Sequence, residues 1–318
     1  MINQLQDIFI RYSDVRPFKW ALLNKLTGNF SRWFIKQIAS TVLPKYFKRK
    51  PGINLYWKAQ QEERISEAIV SFTSFPQRID VVWLVIECLL RQTRVPSKIV
   101  LCLSREQFGD KDALPTTLKN YPENVVEIKM VDGDIRSHKK YWYSVKEYCD
   151  SPIIIVDDDI IYDSHLVEDL ENVALHNNNV VACCWGGRMM WDNNGLIKPY
   201  SQWHGDVKLN EITGDFFLGS GGGTYFPNGS LLGANQPIED IMSICPYADD
   251  IWLNAIIRHN GYRTCLIRKH NSVPEWKITN NKKLTTVNNG NMHYNDIQLE
   301  QVRNYFIMKY GSDPFLKM

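Results

Sequence analysis

The run Ile153-Ile154-Ile155-Val156 constrains this chain more than any other stretch. Four successive β-branched residues favour an extended backbone, and with no polar position among them both faces of the strand must be buried. A strand with one wet face would alternate apolar and polar residues instead. The surrounding sequence repeats the theme. Ala68 to Thr73, Lys98 to Leu103 and Val125 to Val131 read as strands, while Ile79 to Leu90 and Lys139 to Cys149 read as helices between them. A βαβα order with apolar strands predicts an α/β fold, a mostly parallel sheet flanked by helices that binds ligands beyond the carboxyl ends of its strands.

Further along, helices are predicted from Ser164 to His176, from Asp249 to Asn260 with Gly261 closing it, and from Asp296 to Tyr310, with strands at Val180 to Trp185 and Arg263 to Ile267. Residues 186–233 are rich in Gly, Asn, Trp and Tyr and are expected to form an irregular, substrate-facing surface. With 318 residues, 44% of them hydrophobic, the chain can bury a sizeable core, which excludes a disordered or fibrous protein. Its seven cysteines form no CxxC pair and mostly sit in apolar runs, so buried free thiols in a reducing cytosol are expected rather than disulfides or a zinc site. No signal-peptide pattern opens the chain and no uncharged apolar run reaches 18 residues, so neither secretion nor a spanning helix is expected.

The net charge of +2 is an average over two unlike parts. Residues 1–50 carry ten Lys/Arg against Asp7 and Asp14, a net +8, which leaves the other 268 residues at −6. Within this basic segment Phe30, Trp33, Phe34 and Ile38 recur at helical spacing with Arg32 and Lys36 between them. Residues 1–51 are therefore expected as a basic amphipathic helical arm, followed by a single domain over 52–318. Residues 16–50 can lie in the plane of an anionic membrane on the cytoplasmic side, where each basic side chain adds about 1 kcal/mol, or can pack on the body or another subunit. Nucleic-acid binding is not expected, because no basic patch continues downstream.

Asp157-Asp158-Asp159 directly follows the Ile153–Val156 strand. Three carboxylates at one strand end repel each other and need a compensating cation. Alternation along an extended chain lets Asp157 and Asp159 converge while Asp158 faces elsewhere. Oxygen ligands with open positions suit Mg2+ or Mn2+, whose shell phosphates then complete. The competing reading is an acidic cap on the helix near Ser164, with Asp163 or Ser164 as N-cap.

The strand and acidic turn resemble the DxD element of glycosyltransferases with the GT-A fold, a Rossmann-like α/β architecture. The segments Val70 to Ile79, Leu90-Arg91-Gln92-Thr93 with Pro96 to Leu101, Gly219 to Pro227, and Ala248-Asp249-Asp250-Ile251-Trp252 are similar to bacterial capsule and lipopolysaccharide glycosyltransferases in the same order. The resemblance spans residues 68 to about 268 and leaves the arm and the tail outside. It implies a nucleotide-sugar-dependent transferase with a UDP-sugar as the expected donor and a surface-polysaccharide or lipid-linked glycan as acceptor. Asp159 would bind Mn2+ or Mg2+ on the donor diphosphate, Asp157 the metal or the ribose, and Asp158 would belong to the same nucleotide site. Thr73 to Arg78 would border the nucleotide, with Arg78 on uracil or phosphate; otherwise Arg78 is a solvated residue at a helix start.

Asp249-Asp250 can be an ordinary N-cap with a second acid in the first helical turn. The resemblance instead implies that Asp250 accepts the proton of the attacking hydroxyl, with Asp249 sharing the role, giving inversion at the anomeric carbon. Gly219-Ser220-Gly221-Gly222-Gly223 lacks the Gly-Lys-Ser/Thr of a phosphate loop; Gly221 and Gly222 permit close backbone approach to donor and acceptor, or serve a tight bulge. His293 and His270 are candidate third metal ligands. A haloacid-dehalogenase-type phosphatase built on Asp157 and Asp159 is a rival, weakened because three strands precede the acids and Ile161 stands where Thr or Val is usual. A non-catalytic binding protein on the same fold is another rival, disfavoured by two intact acidic pairs.

Overall fold

The computed structural model describes residues 33, 37, 40–203, 208–268 and 294–317. The candidate ligands His270 and His293 lie outside these residues, as does most of the basic arm. The parallel half of the main sheet is built from β1 (Ile65–Thr73), which pairs with β2 (Val95–Ser104) on one side and β4 (Ile153–Ile155) on the other, while β3 (Val126–Val131) extends it beyond β2. In the other half β5 (Val180–Cys183) and β10 (Arg263–Leu266) are parallel. A short strand, β9 (Thr224–Phe226), lies between β4 and β5 and is antiparallel to both, and β7 (Ile212–Thr213) runs antiparallel along β10. The order is β3-β2-β1-β4-β9-β5-β10-β7, with β6 (Gly186–Arg188) and β8 (Phe216–Leu218) forming a separate antiparallel ribbon.

The expected α/β sheet flanked by helices is therefore present, with two differences from the sequence reading. Residues 186–233 hold four short strands, and two of them, β7 and β9, enter the main sheet. Three residues bordered by glycine carry little periodic signal; Thr224-Tyr225-Phe226 becomes a strand because β4 and β5 supply partners on both sides. The helix expected from Lys139 to Cys149 is interrupted. A 3-10 turn at Arg136–Lys140 precedes a helix at Trp142–Glu147, and Tyr141 at φ −128° stands between them. Lys139 and Lys140 turn inward onto Asp134 and Asp157, and these pairings override continuation of the helix.

Along β4 the side chains divide between two cores. Ile154 and Val156 join the layer formed with α2 (Ile79–Leu89) and α4 (Leu166–His176), while Ile153 and Ile155 join the layer formed with α6 (Asp249–His259) and α7 (Tyr294–Tyr310). Each fully buried isoleucine contributes about 1.5–3 kcal/mol, so this strand is fixed on both faces as its composition demands. Asn254 ties α6 to β8 by accepting from the Leu218 amide (3.0 Å) and donating to the Leu218 carbonyl (2.8 Å). The start of α6 is thereby held over the carboxyl end of β4.

The end of the arm packs on the body. Residues 40–49 are helical, Leu43 and Phe47 are buried in the α2 layer, and the Arg91 guanidinium lies 4.2 Å from the Phe47 ring centroid. The Gly52 amide then donates to Glu87 Oε2 (2.9 Å), which anchors the chain before α1 (Ile53–Gln61). Trp33 and Val42 are exposed. Among the described residues no helix is long and apolar enough to cross a membrane. All seven cysteines are free, six of them buried and Cys149 exposed.

Candidate active site

The alternation that splits β4 between two cores also sorts the acids that follow it. Asp157 continues the Ile153 and Ile155 side and meets Lys140, whose Nζ lies 2.6 Å from Asp157 Oδ1. Asp158 continues the Ile154 and Val156 side, where it is 5% exposed, accepts from the Ser74 hydroxyl (2.5 Å) and pairs with Arg78 Nη1 (2.6 Å). The chain turns at residues 158 and 159, so the alternation lapses and Asp159 also reaches Arg78 Nη1, at 3.0 Å. Asp157 and Asp158 thus part as the period of two predicts. Asp159 shares a cation with Asp158, against the expectation that Asp159 would converge with Asp157 while Asp158 faced elsewhere, because the turn ends the extended alternation.

Arg78 is neither solvated nor free to face a nucleotide with its whole guanidinium, since its side chain is 12% exposed. Burial works against its charge, but Asp158 and Asp159 hold its pKa above the ordinary value. Burial likewise raises the Asp158 carboxyl against the pull of Arg78 and Ser74. Asp158 is therefore a buried partner that fixes the start of α2 to the acidic turn. Thr73 donates to the Cys102 carbonyl (2.7 Å), so its hydroxyl is engaged within the sheet.

The second acidic pair comes to the same strand end from α6. Asp249 is the first helical residue, with Ala248 in the cap position and no side-chain cap bond, so the N-cap reading does not hold. Its Oδ2 accepts from the Ser220 hydroxyl (3.1 Å) and lies 3.6 Å from Lys140 Nζ, while Asp250 Oδ1 accepts from the Ser220 amide (2.7 Å). Burial opposes the Asp249 charge, yet Lys140, with help from His138 and Ser220, keeps that carboxyl below its usual value. Asp250 behaves oppositely: burial and the neighbouring Asp249 charge push it up to about 7. Two adjacent acids with separated proton affinities can divide the roles of anion and proton acceptor. Burial also lowers the pKa of Lys140, but the surrounding acids more than reverse this and keep it charged.

The glycines close the site. The Asp157 amide donates to the Gly221 carbonyl (2.8 Å), which also accepts from the Tyr162 hydroxyl (2.5 Å). A Cβ on Gly221 would lie 2.0 Å from an Asp157 carboxylate oxygen, and one on Gly222 would lie 2.6 Å from Trp185 Cβ. Both glycines are thus required by packing within the protein, Gly221 against Asp157 and Gly222 against Trp185. The acids do not cap α4 through Asp163 or Ser164; His165 stands in the cap position without a side-chain bond. His138 is fully buried. Its Nε2 donates to the Cys245 carbonyl (2.6 Å), its Nδ1 accepts from the Tyr141 hydroxyl (2.7 Å), and burial lowers its pKa.

The donor set fits a hard divalent cation. Asp157 and Asp159 offer carboxylate oxygens at a strand end, the ligand type such an ion takes, and in its absence Lys140 and Arg78 neutralise them. Among the described residues no three or more His, Cys, Asp or Glu converge on one metal position. Two carboxylates with phosphate and water completing the shell is the usual Mg2+ or Mn2+ arrangement. Sequence reasoning missed Lys140, Ser74 and Ser220. Their distance in sequence from the acids they serve left no local pattern to find.

No protein-family model matches the chain, and no curated protein matches it either. Among solved structures it is similar to the 4-diphosphocytidyl-2C-methyl-D-erythritol synthase of Anaerococcus prevotii, with 15% identity over 71% of this chain and 96% of that one and a TM-score of 0.43. It is also similar to a mannosyltransferase from Pyrobaculum calidifontis in complex with GDP-Man and Mn2+, with 14% identity over 88% of this chain and 78% of that one and a TM-score of 0.47.

Proposed function

We propose that the protein is a nucleotide-sugar-dependent glycosyltransferase of GT-A-like architecture, of hexosyltransferase type, acting on a surface-polysaccharide or lipid-linked glycan acceptor with a UDP-sugar as donor. The observation that carries the reading is the meeting of acids from remote segments at one strand end, where Lys140 bridges Asp157 to Asp249 and Ser220 holds Asp249 and Asp250 together. In this reading Asp157 and Asp159 hold Mn2+ or Mg2+. When bound, the ion neutralises the donor diphosphate and stabilises it as a leaving group. Asp250, raised towards neutrality, takes the proton from the acceptor hydroxyl as that oxygen attacks the anomeric carbon, and Asp249 remains ionised beside Lys140. Ser220 orients both carboxylates, and Gly221 and Gly222 let the backbone approach the donor. A single displacement of this kind inverts the anomeric centre.

Residues 1–51 are proposed as the basic arm of a catalytic domain over 52–318, with the part before residue 40 resting on an anionic membrane surface from the cytoplasmic side. The test is thermal melting with UDP, GDP and CMP, each with and without Mn2+. Metal-dependent stabilisation by one nucleotide is expected, and Asp159→Ala should abolish it. Identical melting curves under all six conditions would end the reading.

A further inference from the structure

Lys140 is a buried cation that the proposed chemistry does not by itself require. Its side chain is 14% exposed, and its Nζ sits between acids that belong to different functions, 2.6 Å from Asp157 Oδ1 and 3.6 Å from Asp249 Oδ2. Removing an ammonium from water is costly unless carboxylates compensate, and here two do. The shorter contact lies on a carboxylate assigned above to a divalent ion. Two cations at one carboxylate repel each other, so the ammonium and the ion compete for Asp157. Unlike the planar fork of Arg78, the ammonium is a point charge on a flexible stem, and the second carboxylate already lies within reach.

We propose that Lys140 is an exchangeable internal cation: it neutralises Asp157 in the metal-free protein and passes to Asp249 when a divalent ion arrives. Metal entry at the donor acid is thereby coupled to the charge beside the catalytic pair. Lys140 is a positioning residue in this scheme, acting through Asp157 and Asp249. The inference rests on the reading of Asp157 and Asp159 as metal ligands. A fixed structural bridge makes the opposite prediction, because removing it would loosen Asp157 and weaken metal binding.

The experiment is calorimetric titration of the full chain with Mn2+ alone, and again in the presence of UDP or GDP. Lys140→Gln should bind Mn2+ about tenfold more tightly than wild type, the scale expected when one like charge leaves a site of intermediate dielectric. Its melting temperature should fall in EDTA and recover with Mn2+ more than wild type gains. Lys140→Arg, which keeps the charge, should not tighten binding. Asp249→Asn leaves the ammonium with Asp157 alone and should weaken Mn2+ binding by about tenfold; this variant decides the matter if Lys140→Gln does not fold. Unchanged or weaker Mn2+ affinity in Lys140→Gln, or unchanged affinity in Asp249→Asn, overturns the exchange while leaving the metal site standing. Failure of every form to bind Mn2+, with or without nucleotide, overturns both.

Discussion

Asp250→Asn separates catalysis from stability and can be worked through from the structure. Asparagine keeps the shape of the side chain and can still accept from the Ser220 amide, so the contact at 2.7 Å is conserved. What disappears is the ionisable oxygen. Burial and Asp249 raise the Asp250 carboxyl from 3.8 to about 7, which corresponds to a ceiling of about 4 kcal/mol of lost stability once the group ionises. Asp250 is half-buried, and screening by solvent reduces this to about 1–2 kcal/mol.

The sign follows from the raised value. Below 3.8 the acid is protonated in both folded and unfolded chains and has no effect on stability. Between 3.8 and about 7 the unfolded chain ionises first, and wild type loses stability steadily as pH rises. Asp250→Asn escapes that loss. Its melting temperature in EDTA should exceed that of wild type by about 1.5–3 °C at pH 8, with less than half of the gain left at pH 5. Sugar transfer should fall by about 100-fold or more, and the wild-type rise in rate through pH 7 should vanish. Retained transfer would eliminate Asp250 as the base. A stability gain that is the same at both pH values would show that ionisation of this carboxyl is not its source.

Other substitutions probe the remaining contacts. Gly221→Ala puts a Cβ 2.0 Å from an Asp157 oxygen and should weaken Mn2+-dependent nucleotide binding at least about tenfold, read by calorimetry; unaltered affinity would dissociate this glycine from the acidic turn. Arg78→Ala leaves Asp158, 5% exposed, with the Ser74 hydroxyl but without its cation and should cost about 3 kcal/mol in urea unfolding, more at pH 8 than at pH 5 because the carboxylate is then ionised and uncompensated. A loss independent of pH would argue for packing alone. Removal of residues 1–39 should abolish binding to anionic vesicles with little change in melting temperature, whereas removal of residues 1–50 also strips buried Leu43 and Phe47 and should destabilise the body by about 2–5 kcal/mol. Vesicle binding that survives the shorter deletion would place the membrane contact elsewhere.

Much of the fold was legible because burial on two faces leaves a local trace. Ile153 to Val156 announced a central strand, and the runs around Ala68, Lys98 and Val125 announced the other three strands of the parallel half within a few residues of their observed ends. The acids at Asp157 and Asp249 were equally visible, since carboxylates massed at the edge of an apolar run demand compensation. The strand at Thr224–Phe226 was not legible. It owes its conformation to pairing with β4 and β5, and three residues between Gly223 and Pro227 carry no period of their own. The break at Tyr141 was hidden for the same reason, because long-range ion pairs of Lys139 and Lys140 outweigh local helical preference.

The sequence by itself determined that this chain folds as a covered, mostly parallel sheet with carboxylates at the end of its most buried strand. It also determined that successive acids leave that strand on opposite sides, because side-chain alternation is a property of extended backbone. Only the tertiary structure decided what neutralises them. Asp158 and Asp159 meet Arg78 from the start of α2, and Asp157 shares Lys140 with Asp249 across 92 residues of chain. Charge compensation acts through space over a few ångströms, so no spacing in the sequence records which cation will arrive at which carboxylate.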